Sequence, residues 1–261
     1  MVQTQQVLAR ADAAERIPTM GGMARPNGIV IVSERYWAFA GLDGSLREGA
    51  MAARPPLLRK IPLVRGLAKL AAALSPVFRR RGVTRPRERA LLAFALVAPF
   101  GFFLLPAALR LPAGVALTAG LVLWLLRGRT LRLHGAEHRA IAAAESRRLT
   151  ATWQGTTRPS RFSPRCGTNF AALVLPVTLL AERAWPLGPA LYTPLLVTLL
   201  SLAVTMELWQ LVQSSNRRAA RALLLPGLAL QRLTTREPSL EETRIALRAV
   251  AAVLDRELGS P

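Results

Sequence analysis

The run Ala184–Met206, AWPLGPALYTPLLVTLLSLAVTM, holds twenty-three residues without a charged side chain. A helix of that length exceeds the roughly 30 Å hydrocarbon core of a bilayer. Three further charge-free runs accompany it: Ala90–Leu109 with twenty residues, Leu111–Leu126 with sixteen and Gly167–Ala181 with fifteen. They fall into two close pairs. The expected fold is therefore a mainly α, polytopic membrane protein with four transmembrane helices in two hairpins. For the two shorter runs, helices buried in a soluble core are the competing reading.

Arginine placement sets the expected topology. Segments 1–89, 127–169 and 207–261 carry thirty-three of the Lys and Arg residues. The tight links between paired runs carry two, Arg110 and Arg183. By the positive-inside rule both termini and the middle segment are cytoplasmic. The same asymmetry makes the lipid bilayer and its anionic headgroups the expected partners of the +20 charge, in place of a specific nucleic acid. One cysteine, Cys166, excludes an intrachain disulfide and suits a reducing compartment. Residues 1–20 have no apolar core of the secretory type.

Outside the runs, residues 1–20 read as disordered and 21–56 as a small cytoplasmic β unit. Ile29–Val32 and Tyr36–Ala40 are strand-like, with a turn at Leu42–Ser45. Gly21-Gly22 permits close backbone approach. Residues 57–87 read as an interfacial amphipathic or re-entrant segment, ending in Arg79-Arg80-Arg81. The hairpins occupy 88–127 and 167–215, separated by a His/Cys segment at 128–166. In the tail, 216–261, Pro226–Pro238 is loop-like and Ser239-Leu240-Glu241-Glu242 is a capping box. Leu247, Val250, Leu254 and Leu258 then form one helical face.

The chemistry concentrates in His134-Gly135-Ala136-Glu137-His138, which holds both histidines of the chain. Four residues is about one helical turn, so both imidazoles face one way. The pattern has the ligand spacing of inverted zincins, in which two histidines bind zinc and a glutamate activates water. A catalytic zinc needs a third protein ligand and an open position. Cys166, Glu145 and Glu207 are the candidates. Structural readings stand beside these: a metal-free His–Glu pair, a packing cysteine, and a Glu207 paired with arginine.

These strings, with Pro164-Arg165-Cys166-Gly167-Thr168 and Gln231-Arg232-Leu233-Thr234-Thr235-Arg236-Glu237-Pro238, resemble the signatures of the bacterial YqhQ family. That membrane family has no known function and carries the label of a metal-dependent enzyme. The resemblance runs from about Gly21 to Leu258. It implies Gln and Glu where this chain has Met23 and Asn27, and His where it has Ser163, so a carboxylate and a potential ligand are missing.

The functional expectation is metal-assisted hydrolysis at a cytoplasmic membrane surface. His134, His138 and Cys166 or Glu207 would hold a divalent ion, zinc first, with no nucleotide or organic cofactor expected. Glu137 would accept a proton from water, and Arg165 would assist catalysis. Arg232 and Arg236 would bind an anionic substrate. A non-enzymatic scaffold or assembly factor is the alternative, and a transporter component, acting as an oligomer, ranks third.

Overall fold

A computed structural model describes residues 2–53, 58, 60–79, 82–84, 86–101, 105–125, 129–186, 192–215 and 217–259. Arg80 and Arg81 of the basic run lie outside the described residues. The chain is mainly helical with a small antiparallel sheet near its start, and it divides into two compact units. Met1–Ala53, Arg127–Asn169 and Leu224–Pro261 form the first; Arg54–Leu126 and Phe170–Leu223 form the second.

In the first unit, β1 (Gly21–Arg25), β2 (Gly28–Val32), β3 (Tyr36–Gly41) and β4 (Leu46–Ala50) pair in sequence order as an antiparallel meander. Ile29 stands opposite Ala40 and Ile31 opposite Ala38. The period of two puts all four on the face covered by α5 (Thr130–Glu145) and α11 (Leu240–Gly259). Those helices meet through small residues: Ala136, Ala140, Ala143 and Ala144 on α5, Ala246 and Ala249 on α11, all fully buried. Leu247, Val250 and Leu254 are fully buried on the expected face, and Leu258 packs beside them. Each such burial contributes about 1.5–3 kcal/mol.

Two expectations change here. Residues 1–20 are not disordered throughout, because α1 (Val2–Ala13) buries Val7, Leu8 and Ala11 in this core. Its Asp12 carboxylate accepts the Leu149 and Thr150 N–H groups at 2.9 and 2.8 Å. It thereby caps α6 (Leu149–Gln154), whose own N-cap, Arg148, makes no side-chain cap bond. Pro226–Pro238 is not all loop, since α10 (Leu225–Thr234) has Pro226 in its first turn, where a missing N–H costs nothing.

The second unit holds α2 (Val64–Phe78), α3 (Pro86–Gly101), α4 (Ala107–Leu125), α8 (Thr193–Ser214), the short α9 (Arg218–Ala222) and most of α7 (Gly167–Arg183). Helix α2 lies against α8, with Gly66 so close that an added Cβ would stand 2.7 Å from the Met206 Cβ. Leu105 and Pro106 are not helical, and Arg110 lies inside α4. Proline disfavours helix at the residue before it, so Pro106, not the arginine, sets the break. Among the described residues, one helix, α8, is long and apolar enough to cross a membrane. Helices α3 and α7 cover 16 and 17 of the described residues, about 24–26 Å. Large apolar side chains nevertheless face outward on all four, including Phe94, Leu123, Leu180 and Leu211 at 63–68% exposure.

The capping box at the start of α11 is formed. The Ser239 hydroxyl accepts the Glu242 N–H at 3.1 Å, and the Glu242 carboxylate accepts the Ser239 N–H at 2.9 Å. Arg132 donates to the same carboxylate at 2.8 Å, tying α5 to α11. Ser239→Ala is expected to lower unfolding stability by about 1 kcal/mol, read by denaturant titration.

Candidate metal centre

Helix α5 brings His134 and His138 together on one face, with ring centroids 4.4 Å apart in an edge-on arrangement. Each ring is held from behind by a carbonyl. His134 Nδ1 donates to the Thr234 oxygen at 2.8 Å, and His138 Nδ1 to the Arg161 oxygen at 2.7 Å. A carbonyl only accepts, so both protons sit on Nδ1 and both Nε2 atoms present lone pairs. His134 Nε2 stands 3.2 Å from Cys166 Sγ. His138 Nε2 is buried with no hydrogen-bond partner among the described residues. One donor atom from each of His134, His138 and Cys166 lies within 4.8 Å of the others.

The electrostatics suit a cation better than protons. Burial pulls the His134 pKa down against the Thr234 bond. Burial, then neighbouring His134, pulls His138 down to about 4, against the Arg161 bond. Both rings are therefore neutral at neutral pH, the form that binds metal. Burial pushes the Cys166 thiol up to about 11, with the Thr168 hydroxyl and N–H opposing and Glu137 adding. A thiol in this position gives up its proton on metal binding. Two imidazoles and a thiolate form a donor set that suits zinc. The orphaned His138 Nε2 is the direct sign that the residues fit such an ion.

Glu137 points toward β1. Burial pushes its carboxyl up to about 8, against a bond from the Ala24 N–H. A Cβ on Gly22 would stand 2.7 Å from Glu137 Cγ and 2.8 Å from both Glu137 Oε1 and the Val30 carbonyl. The glycine pair therefore permits close approach at Gly22, whereas Gly21 faces only an ordinary 3.7 Å contact with Val32.

The remaining expected residues disperse. Glu207 takes hydrogen bonds from Arg65 Nε at 2.8 Å and the Leu63 N–H at 3.1 Å, so its carboxylate is engaged in the second unit and does not join the donors. Arg165 is exposed and paired with Glu145, which removes Glu145 as well. Arg232 and Arg236 are exposed. The Arg236 backbone N–H donates to the Leu131 carbonyl at 2.9 Å, which closes the tail over α5. The cluster forms without the three departing positions: the Ser163 hydroxyl accepts the Arg165 N–H at 3.2 Å, Met23 pairs with Val30, and Asn27 lies in the β1–β2 turn. Sequence reading missed Arg139. It is buried beside His138, donating to the Pro159 carbonyl at 3.0 Å and to Glu237 at 2.8 Å.

These ionisations oppose one another in pH. Between about pH 4 and 6.5 the unfolded chain binds the His138 proton that the native state rejects, so this group adds stability as pH rises. Between 4.5 and about 8 native Glu137 keeps a proton that the unfolded chain releases, so this group removes stability as pH rises. Above 6.5 the Glu137 effect acts without the histidines. Chelator-treated protein is expected to lose about 1–2 kcal/mol between pH 6.5 and 8, and Glu137→Gln to flatten that slope in thermal unfolding.

Residues 123–256 match the family described as protein of unknown function (DUF1385). YqhQ of Bacillus subtilis (strain 168), itself described as uncharacterized, is 29% identical over 133 residues. The match covers 49% of this chain and 42% of that protein, so the chain spans less than half the length of the curated relative it matches. No solved structure matches the chain. The matched stretch contains His134, Glu137, His138, Cys166 and the string 231–238, and the chain belongs to this YqhQ-like DUF1385 family, whose function is unknown.

Proposed function

We propose that this protein is a multi-pass protein of the bacterial cytoplasmic membrane that holds a divalent ion, zinc foremost, and hydrolyses a substrate at the cytoplasmic surface. The observation that carries the reading is the unpartnered, buried Nε2 of His138 beside His134 Nε2 and Cys166 Sγ. Three protein donors leave a coordination position for water or substrate. The bound ion would supply Lewis acidity and bring the pKa of water toward neutrality.

The chain's own residues supply the rest. Glu137 is the proton acceptor: its carboxyl, pushed up to about 8 by burial without a metal, would ionise more readily beside a bound cation and could then take a proton from water. Its charge reaches the Cys166 thiol. Arg165, Arg232 and Arg236 furnish cationic surface for an anionic substrate or lipid headgroup. The outward Leu, Val and Phe side chains of α3, α4, α7 and α8, together with the arginine asymmetry, support four spans with both termini inside. A lipid-derived or membrane-protein substrate fits that location. The competing reading is a scaffold, favoured by the pairing of Arg165 with Glu145 and of Arg139 with Glu237.

Detergent-purified protein is expected to carry near-stoichiometric metal by mass spectrometry, lost in His134→Ala/His138→Ala. Wild type that stays metal-free after incubation with zinc and manganese moves the reading to the scaffold. For any ester the wild type hydrolyses, Glu137→Gln is expected to lower turnover about 10²–10⁴-fold while keeping the metal. Retained turnover would end the proton-acceptor role.

A further inference from the structure

Gln231 is fully buried, and both ends of its carboxamide bind one peptide residue. Its Oε1 accepts the Ser163 N–H at 2.9 Å, and its Nε2 donates to the Ser163 carbonyl at 2.7 Å. Such a two-point bond replaces the ladder partner a strand residue would have. Asn169, also fully buried, donates from Nδ2 to the same Ser163 carbonyl at 2.9 Å and to the Pro164 carbonyl at 3.0 Å. The two residues next before Arg165-Cys166 are thus pinned through their backbone. Gly227 of α10 lies so tightly on Asn169 that no side chain fits there.

The same short segment reaches both histidines. The Thr234 carbonyl accepts the His134 proton. The Thr235 carbonyl accepts from Arg161 Nη1 at 3.1 Å, and the Arg161 carbonyl in turn holds His138. Segment 231–235 therefore bears on every donor, directly or through one residue.

We infer that Gln231 is a positioning residue of the metal centre, holding Cys166 Sγ against His134 Nε2 through the Ser163 peptide. On this view the string 231–238 builds the site, and its exposed arginines are incidental to that task. The inference rests on the metal reading for what the donors bind, but not for the clamp itself.

The chain has a single cysteine, so thiol chemistry reports Cys166 alone. Two readouts apply to the full chain in detergent: iodoacetamide alkylation after chelation, and zinc affinity by chelator competition. Gln231→Leu removes both bonds at similar volume. It is expected to raise the alkylation rate about 10-fold or more and to weaken zinc about 10–100-fold. Gln231→Glu keeps the acceptor for the Ser163 N–H and loses the donor, so an intermediate effect on both is expected. Leu233→Ala, at an exposed residue of the same string, is expected to match wild type in both readouts. A role in stability alone would shift the melting temperature without moving zinc affinity in the folded protein. Wild-type alkylation and zinc affinity in folded Gln231→Leu overturn the inference. If that variant does not fold, the same result in Gln231→Glu does so. Wild type that binds no zinc sinks the metal reading, and alkylation still decides the clamp.

Discussion

Three ionisable side chains in a row, Glu137, His138 and Arg139, are buried to within 6% exposure on one short helix. That constraint organises the first unit. Buried polar groups need partners, and one turn of an alanine-rich helix offers none. Each must be met by a different part of the chain. Strand β1 meets Glu137 with the Ala24 N–H and makes room at Gly22. The Arg161 carbonyl meets His138, and the Pro159 carbonyl and Glu237 meet Arg139. The strings that stand far apart in sequence are the pieces that close on α5.

The two units solve opposite problems. The first hides charge within a core of small residues, and its precision comes from directed bonds. The second carries its Leu, Val and Phe side chains outward on α3, α4, α7 and α8. Exposed apolar area of that extent marks an interaction surface, whether for a protein, a ligand or a membrane. Its internal fit relies on close approach, as at Gly66 against Met206, and on the Arg65–Glu207 pair.

Legibility in the sequence follows the range of each interaction. The shared face of His134 and His138 was readable because four residues make one turn. The Ser239–Glu242 box and the face of α11 are equally local. Cys166 could be named only as one of three candidates, since its approach to His134 spans 32 positions. Glu207 could be read as a ligand or as an arginine's partner, but Arg65 could not be named because it is 142 residues away. Helix α1 was missed because three buried side chains, Val7, Leu8 and Ala11, give little periodic signal in a polar stretch. Pro226 was taken as the start of a loop-like segment where it opens α10, and Pro106 was read inside a charge-free run where the residues just ahead of α4 are not helical. Gln231 entered only as the first residue of a family string, because its bonds to backbone 68 positions away leave no local pattern, and Asn169 was passed over as part of an apolar run.

The tautomers carry the argument for a cation furthest. In a purely structural network His138 would spend both nitrogens on partners, or stand as a non-polar residue of similar size. Instead the Arg161 carbonyl fixes the proton on Nδ1 and leaves a lone pair buried and unmatched. An unsatisfied buried acceptor costs about 1–3 kcal/mol. Relief by protonation is closed off, since burial and His134 hold the ring's pKa near 4. Relief by Cys166 is limited, because its one S–H is already directed at His134 Nε2. A divalent ion would satisfy both lone pairs and the sulfur at once, and it would supply the positive charge that neutral His134 and His138 lack.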